Sequence, residues 1–314
     1  MKIASIDIGT NSTRLLITDY RKSKFIPLER KMKITRLGKD LEQNNFILDE
    51  SAGRTLEAVS DYCSLIKSHN VKKYRAVGTS TLRKASNSNW FISYIYKNSG
   101  IKIDIISGEE EADLSFYGAV REMDLNPEYS KKKLSGSILV IDVGGGSSEF
   151  ILGDKSCNPE LIESIDIGCV SMTERFMGKG IPDPDSLCSM HHYIADRLKK
   201  VIGKIDRHKP VSIIGVAGTV TTLAAVDLGL EKYDSKRIHC HILGFDKIEE
   251  IYKNLCSLDL KSRKKITGLE PGRADVIIGG TAIVLMVLKL LGSMDIMASE
   301  KDILDGIIYS LIDF

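Results

Sequence analysis

The sequence predicts an α/β protein of two tandem, related domains with a cleft between them. Three observations carry that expectation: a repeated phrase, its spacing, and strands alternating with helices in both halves. The phrase Ile6-Asp7-Ile8-Gly9-Thr10-Asn11-Ser12 returns as Ile141-Asp142-Val143-Gly144-Gly145-Gly146-Ser147. Each copy is an apolar run ending in Asp, a Gly-rich polar turn and a second apolar run, the pattern of two strands joined by a tight turn. The copies lie about one domain length apart, and a chain of 314 residues holds two domains with sizeable cores.

In the first half, Leu56, Val59, Cys63 and Ile66 recur at helical spacing within 50–67. Tyr74 to Gly78 is a short strand that runs into Thr79-Ser80-Thr81-Leu82-Arg83. A second amphipathic helix is expected over 87–96 and a strand over 101–106. Ser107-Gly108-Glu109-Glu110 then has the spacing of a capping box, opening a helix through Ala112, Phe116 and Val120. A polar connector around Pro127 and the lysine run 131–133 separates the halves, placing the domains at 1–125 and 126–314.

The second half begins with the strand at 138–141 and its hairpin. Asp183-Pro184 caps a helix whose Leu187, Met190, Ile194, Leu198, Val201 and Ile205 share one face. His191 and His192 on this helix are expected to be structural or surface groups. The strand 211–216 empties into Ala217-Gly218-Thr219 and another helix. The uncharged stretch 276–288 has only 13 residues, short of the roughly 18 that a membrane span needs, so a buried helix is expected.

A formal net charge of +2, with 43% hydrophobic and 27% charged residues, describes an ordinary globular chain and gives no global reason for nucleic-acid binding. The basic clusters at 131–133, 199–200 and 261–265 are solvated surface or a path for a polyanion. Six scattered cysteines without a Cys-x-x-Cys pair, and a start lacking an apolar h-region, lead to the expectation of thiols in a reducing cytoplasm and no membrane anchor. In His239-Cys240-His241, alternation along a strand is expected rather than a zinc site. A Gly-Lys-Ser/Thr phosphate loop and a Gly-x-Gly-x-x-Gly dinucleotide fingerprint are both missing from the sequence.

Three groups of residues converge on phosphoryl chemistry. The turns Gly9, Thr10, Asn11, Ser12 and Gly144, Gly145, Gly146, Ser147, Ser148 offer backbone N–H groups and small hydroxyls. Gly218-Thr219 adds a strand-to-helix turn whose N-terminus favours an anion. Asp7, Asp142 and Glu149 have the hard oxygen ligands that suit Mg²⁺ or Mn²⁺. Finally, Glu109, Glu110 and Glu111 open a helix, where acidic residues also simply complement the dipole. Glu111 differs in having Ser115 and Gly118 on its face, small residues that suit a carboxylate lining a cleft and taking a proton from water.

The phrases IDIGTNSTRLLI, AVGTSTLRKASN, ISGEEEA, VIDVGGGSSEF, GVAGTVTTLAA, IHCHIL and GLEPGRADVIIGG run nearly the whole length. They resemble the exopolyphosphatase / guanosine pentaphosphate phosphohydrolase family, on the actin-like fold shared with acetate kinase and hsp70. The resemblance implies a metal-dependent hydrolase that removes the terminal phosphate of inorganic polyphosphate or guanosine pentaphosphate. It puts the catalytic carboxylate on Glu111, acidic metal and water partners on Asp142 and Glu149, and a substrate-binding guanidinium on Arg83. Thr10 stands where the family often has Ser, and Ser148 where Thr is usual; both keep a hydroxyl. The short two-domain branch is expected, with the closing helix at about 299–314 crossing back onto the first domain. Oligomeric state stays open, a homodimer being what the family suggests. A non-hydrolysing nucleotide or alarmone sensor and a kinase on the same fold are the competing readings.

Overall fold

A computed structural model describes residues 1–121, 136–178, 180–208, 210 and 212–313. The lysine run 131–133 lies outside them. The chain divides into two compact units, the first made of Met1–Gly118 with Ile303–Phe314 and the second of Ala119–Asp302. The first unit thus takes in the closing segment, and the division between the units falls after Gly118, whereas the composition shift in the sequence comes a few residues later.

The first unit holds strands β1 (Lys2–Ile8), β2 (Ser12–Arg21), β3 (Lys24–Ile34), β4 (Lys73–Gly78) and β5 (Ile103–Ile105) in the order β3-β2-β1-β4-β5. β1–β2 and β2–β3 run antiparallel, and β4 and β5 extend the sheet in parallel. The longer helices between and after these strands are α1 (Asp49–Ser68), α2 (Ser88–Ser99) and α3 (Gly108–Val120). Side chains alternate across the sheet, so β1 sends Ala4, Ile6 and Ile8 to one core with Val59, Tyr62 and Phe91. Ile3 goes to the opposite face with Leu16.

The second unit holds β6 (Ile138–Val143), β7 (Ser148–Gly153), β8 (Pro159–Ile165), β9 (Ser212–Val216), β10 (Ile242–Gly244) and β11 (Asp295–Ala298). Their order is β10-β11-β9-β6-β7-β8. Read from β8 to β11, this repeats the first sheet strand for strand, with β10 added antiparallel at the edge. Its longer helices are α4 (Cys169–Phe176), α5 (Pro184–Ile205), α6 (Ala217–Asp227), α7 (Phe245–Ser257) and α8 (Ile277–Leu291). Both units therefore have the actin-like, ribonuclease H-like α/β sheet.

The final helix, α9 (Ile303–Asp313), covers the face of the first sheet that carries Ile3 and Leu16, through Leu304, Ile308 and Tyr309. Ser5 donates to the Leu304 carbonyl at 2.8 Å, and Arg30 pairs with Asp305. Gly306 makes this approach possible, since a Cβ there would stand 1.9 Å from the Leu114 carbonyl oxygen.

The expected helix starts are present in detail. Asp183 accepts from Ser186 N at 2.9 Å with Pro184 in the first turn of α5. Ser107 accepts from Glu110 N at 3.0 Å, but Glu110's carboxylate is drawn to Arg75 at 2.6 Å, an ion pair across to β4. The apolar stretch at 276–288 is buried as α8, and no helix among the described residues is long and apolar enough to cross a membrane.

Two expectations need correction. His239-Cys240-His241 is a turn, not a strand. Asp234 accepts from Lys236 N and Arg237 N, which nucleates a helical turn over Ser235–Ile238. Cys240 then reverses the chain at φ 68°, and β10 starts only at Ile242. Arg263, inside the basic run 261–265, is buried and donates to the carbonyls of Leu258, Ala274 and Gly180 at 2.9–3.2 Å. Its neighbours Lys261, Lys264 and Lys265 remain exposed.

Candidate active site

The two repeated phrases form two matching hairpins. In the first, Gly9 N donates to Ser12 O at 3.0 Å, closing a four-residue turn; in the second, Gly144 N donates to Ser147 O at 3.1 Å. One residue differs in kind at the base of each. Asp7 lies opposite Arg14, and Asp142 lies opposite Glu149.

In the first hairpin the acid is neutralised from within, because Arg14 sends both Nε and Nη2 to Asp7 Oδ2 at 2.9 and 2.7 Å. The second hairpin instead places two carboxylates on one face as direct cross-strand neighbours, 5% and 0% exposed. Like charges so placed repel. Glu149 Oε1 accepts from Ser164 Oγ at 2.9 Å, a contact that orients the carboxylate without neutralising it.

The donor set fits a hard divalent ion. Mg²⁺ characteristically takes one or two protein carboxylates and fills its octahedron with water and phosphate oxygens. Among the described residues, no group of three or more His, Cys, Asp or Glu side chains is placed to hold a metal.

Around the second turn, backbone contacts hold the glycines from behind. Cys169 N donates to Gly144 O at 2.9 Å, and Val170 N and Ser171 N donate to Gly145 O at 2.8 and 3.2 Å. Gly168 packs so closely that a Cβ would meet the Gly145 carbonyl oxygen at 2.4 Å. The start of α4 thus pins the carbonyls of the turn. Ser148 is spoken for as a donor, its hydroxyl reaching Ile167 O at 2.7 Å.

Gly218, at the start of α6, has a different reason to be glycine. A Cβ there would stand 1.9 Å from Nη1 of Arg273, so the guanidinium rests directly on this backbone. Thr219 donates to Val143 O at 3.4 Å, tying α6 to the end of β6. The residue before Gly218, Ala217, adopts φ 63°, a strained conformation for a residue with a Cβ.

Within the first unit, Thr10 accepts from Thr81 Oγ1 at 3.0 Å, which leaves the Thr10 proton to donate elsewhere. Asn11 anchors the turn through its carbonyl, which accepts from Thr35 N and Arg36 N. Arg83 reaches both Ile106 O at 3.1 Å and Glu111 Oε2 at 2.6 Å. The two side chains that the family resemblance singled out in this unit are therefore an ion pair, partly buried, at the mouth of α3.

Sequence reasoning missed Arg14, Ser164 and Arg273. Arg14 was legible, since a position-by-position match of the two phrases sets it against Glu149. Ser164 and Arg273 carry no local signal, because strand register and a distant loop bring them in.

Comparison with known proteins identifies the family. A sequence model described as the Ppx/GppA phosphatase family matches residues 16–313. Exopolyphosphatase 2 of Mycobacterium tuberculosis is 32% identical, over 99% of this chain and 98% of that protein. Among solved structures, an exopolyphosphatase from Cytophaga hutchinsonii is similar at TM-score 0.89 and 29% identity, covering 100% of this chain and 98% of that one. A Ppx/GppA phosphatase of Aquifex aeolicus is similar at TM-score 0.75 and 26% identity, covering 99% of both. The chain belongs to the Ppx/GppA phosphatase family.

Proposed function

We propose that this protein hydrolyses the terminal phosphoanhydride bond of inorganic polyphosphate, releasing orthophosphate with the aid of Mg²⁺ or Mn²⁺. The acid pair Asp142–Glu149 beneath a glycine turn carries this reading. Two buried carboxylates facing each other next to backbone phosphate donors suit a site that receives a cation together with a phosphate.

Asp142 and Glu149 would hold the metal. When bound, the ion supplies neutralisation of charge on the transferred phosphoryl group. Gly9 to Ser12 and Gly144 to Ser147 offer N–H and hydroxyl donors to non-bridging oxygens, and Gly218 and Thr219 add a helix start. Asp7, held by Arg14, braces the first hairpin.

Glu111 orients and deprotonates the attacking water. Its pairing with Arg83 bears on how that works. A phosphate arriving at Arg83 competes for the guanidinium and leaves the Glu111 carboxylate available to accept a proton. Water oxygen then bonds to the terminal phosphorus, the bridging P–O bond breaks, and the shortened chain departs with the electron pair. Positioning and charge supply most of the rate in such a reaction.

Exposed Lys199, Lys200, Lys261, Lys264 and Lys265 favour a long polyanion as substrate. The alternative is guanosine pentaphosphate, attacked at the same kind of bond. A cytoplasmic setting is consistent with six cysteines that form no disulfide. The experiment is phosphate release, with Mg²⁺, from short polyphosphate, long polyphosphate and guanosine pentaphosphate side by side. Release from the guanosine compound alone would replace the polyphosphate reading with the second one.

A further inference from the structure

We propose that Ser80 is a phosphate-binding residue, its hydroxyl donating to an oxygen of a phosphate held at the turn Gly9–Ser12. The ligand class rests on the phosphohydrolase reading; the assignment of Ser80 does not follow from it. The starting observation is a pair of buried donors. Ser80 Oγ and Asn11 Nδ2 have no hydrogen-bond partner among the described residues, although Ser80 is only 3% exposed and Asn11 only 6%.

Backbone and side-chain contacts put the two in one neighbourhood. Thr79 N donates to Ile8 O at 3.4 Å, and Thr81 Oγ1 donates to Thr10 Oγ1 at 3.0 Å. Ser80 is therefore bracketed by two residues bonded to the strand end and turn that Asn11 also belongs to.

A buried hydroxyl or amide without a partner is costly, and replacing a buried serine of this kind by alanine would relieve the cost. Two such groups at one turn call for a shared explanation. Both can give protons, so their common partner is an acceptor. Arg83, three residues beyond Ser80 on the same short helical segment Ser80–Lys84, makes an anionic acceptor the better match. A phosphoryl oxygen satisfies all three requirements: it is small, accepts several hydrogen bonds and carries charge.

The roles of Ser80 and of the hydrolase reading separate experimentally. Thermal unfolding of the full chain is followed while inorganic phosphate is titrated, for the wild type and Ser80→Ala. In the ligand-free state, Ser80→Ala is expected to melt at the same temperature or higher. Its half-saturating phosphate concentration is expected to rise about tenfold, the effect of one hydrogen bond to a charged acceptor.

Equal half-saturation in the two proteins would overturn the assignment, even in an active enzyme. A lower melting temperature for Ser80→Ala with unchanged phosphate affinity would also overturn it, by showing the hydroxyl to be structural. So would a wild type with no phosphate-induced shift. Binding that weakens as expected in a protein that releases no phosphate from any substrate would leave Ser80 assigned and sink the hydrolase reading instead.

Discussion

Asp142 and Glu149 face each other across the second hairpin, and the matching positions of the first hairpin hold Asp7 and Arg14. One repeated scaffold thus carries an internally neutral pair in one copy and a doubly acidic pair in the other. Fold repetition alone does not require that difference. Under the proposed function, a cation at the second copy would account for it, while Arg14 pairs with Asp7 in the first.

That account predicts a change of sign on mutation. Glu149→Gln keeps an acceptor for Ser164 and removes the like-charge repulsion with Asp142. The metal-free protein should be as stable as the wild type or slightly more so, while stabilisation by added Mg²⁺ is lost. Melting curves with chelator and with Mg²⁺ check both halves. An undiminished Mg²⁺ shift would remove Glu149 from the metal site.

Glu111→Gln should lower turnover by about 10²–10⁴-fold, the usual contribution of a general base. The amide oxygen can still accept from Arg83, so the fold and the position of α3 should survive. Circular dichroism and phosphate-release kinetics on the same preparation separate the two effects. Near-normal turnover would assign the base elsewhere.

Gly306→Ala tests the docking of α9. The new methyl would stand 1.9 Å from a backbone oxygen of α3, where no side-chain rotation gives relief. Overpacking of this kind costs about 1–3 kcal/mol. Urea unfolding should show a lower midpoint, and limited proteolysis should release the C-terminal segment first. An unchanged midpoint would mean that α9 contributes little to the first unit.

Stability should also depend on His191. Burial, then Lys289 and His192, hold its imidazole below the ordinary histidine range, and Nε2 lies 2.8 Å from the Tyr252 hydroxyl. The folded state therefore favours neutral His191, while the unfolded chain takes up a proton near 6.5. That contribution is complete above the unfolded value and is lost as pH falls towards the depressed folded value. Melting temperature should drop on acidification below about pH 6.5, and more steeply than in His191→Gln. Parallel profiles for the two proteins would contradict the assignment.

Much of the fold was legible because local chemistry and tertiary structure agree. Both hairpins, the Asp183-Pro184 start of α5, the Ser107 cap and the buried helix at 276–288 all announce themselves within a few residues. The edge strands β3 and β8 do not. β3 carries Glu29, Arg30, Lys31 and Lys33 among its apolar residues, because an edge strand meets water and has no clean alternation. β10 and β11 span three and four residues, too short for any period.

In the site, the turns and acids were visible as repeats. What the sequence withheld were pairings made across the fold: Arg83 on Glu111, Ser164 on Glu149 and Arg273 on Gly218. Arg263 misled in the opposite direction. A guanidinium within a basic run looks like solvated surface, yet it is buried and serves backbone carbonyls of three separate segments.

The most direct test of the central claim is orthophosphate release from long-chain polyphosphate by the wild type and Glu111→Gln, each with Mg²⁺ and with chelator. The account predicts release by the wild type with Mg²⁺ alone, and at least a hundredfold less by the variant. Release that persists in chelator, or equally in the variant, would contradict it.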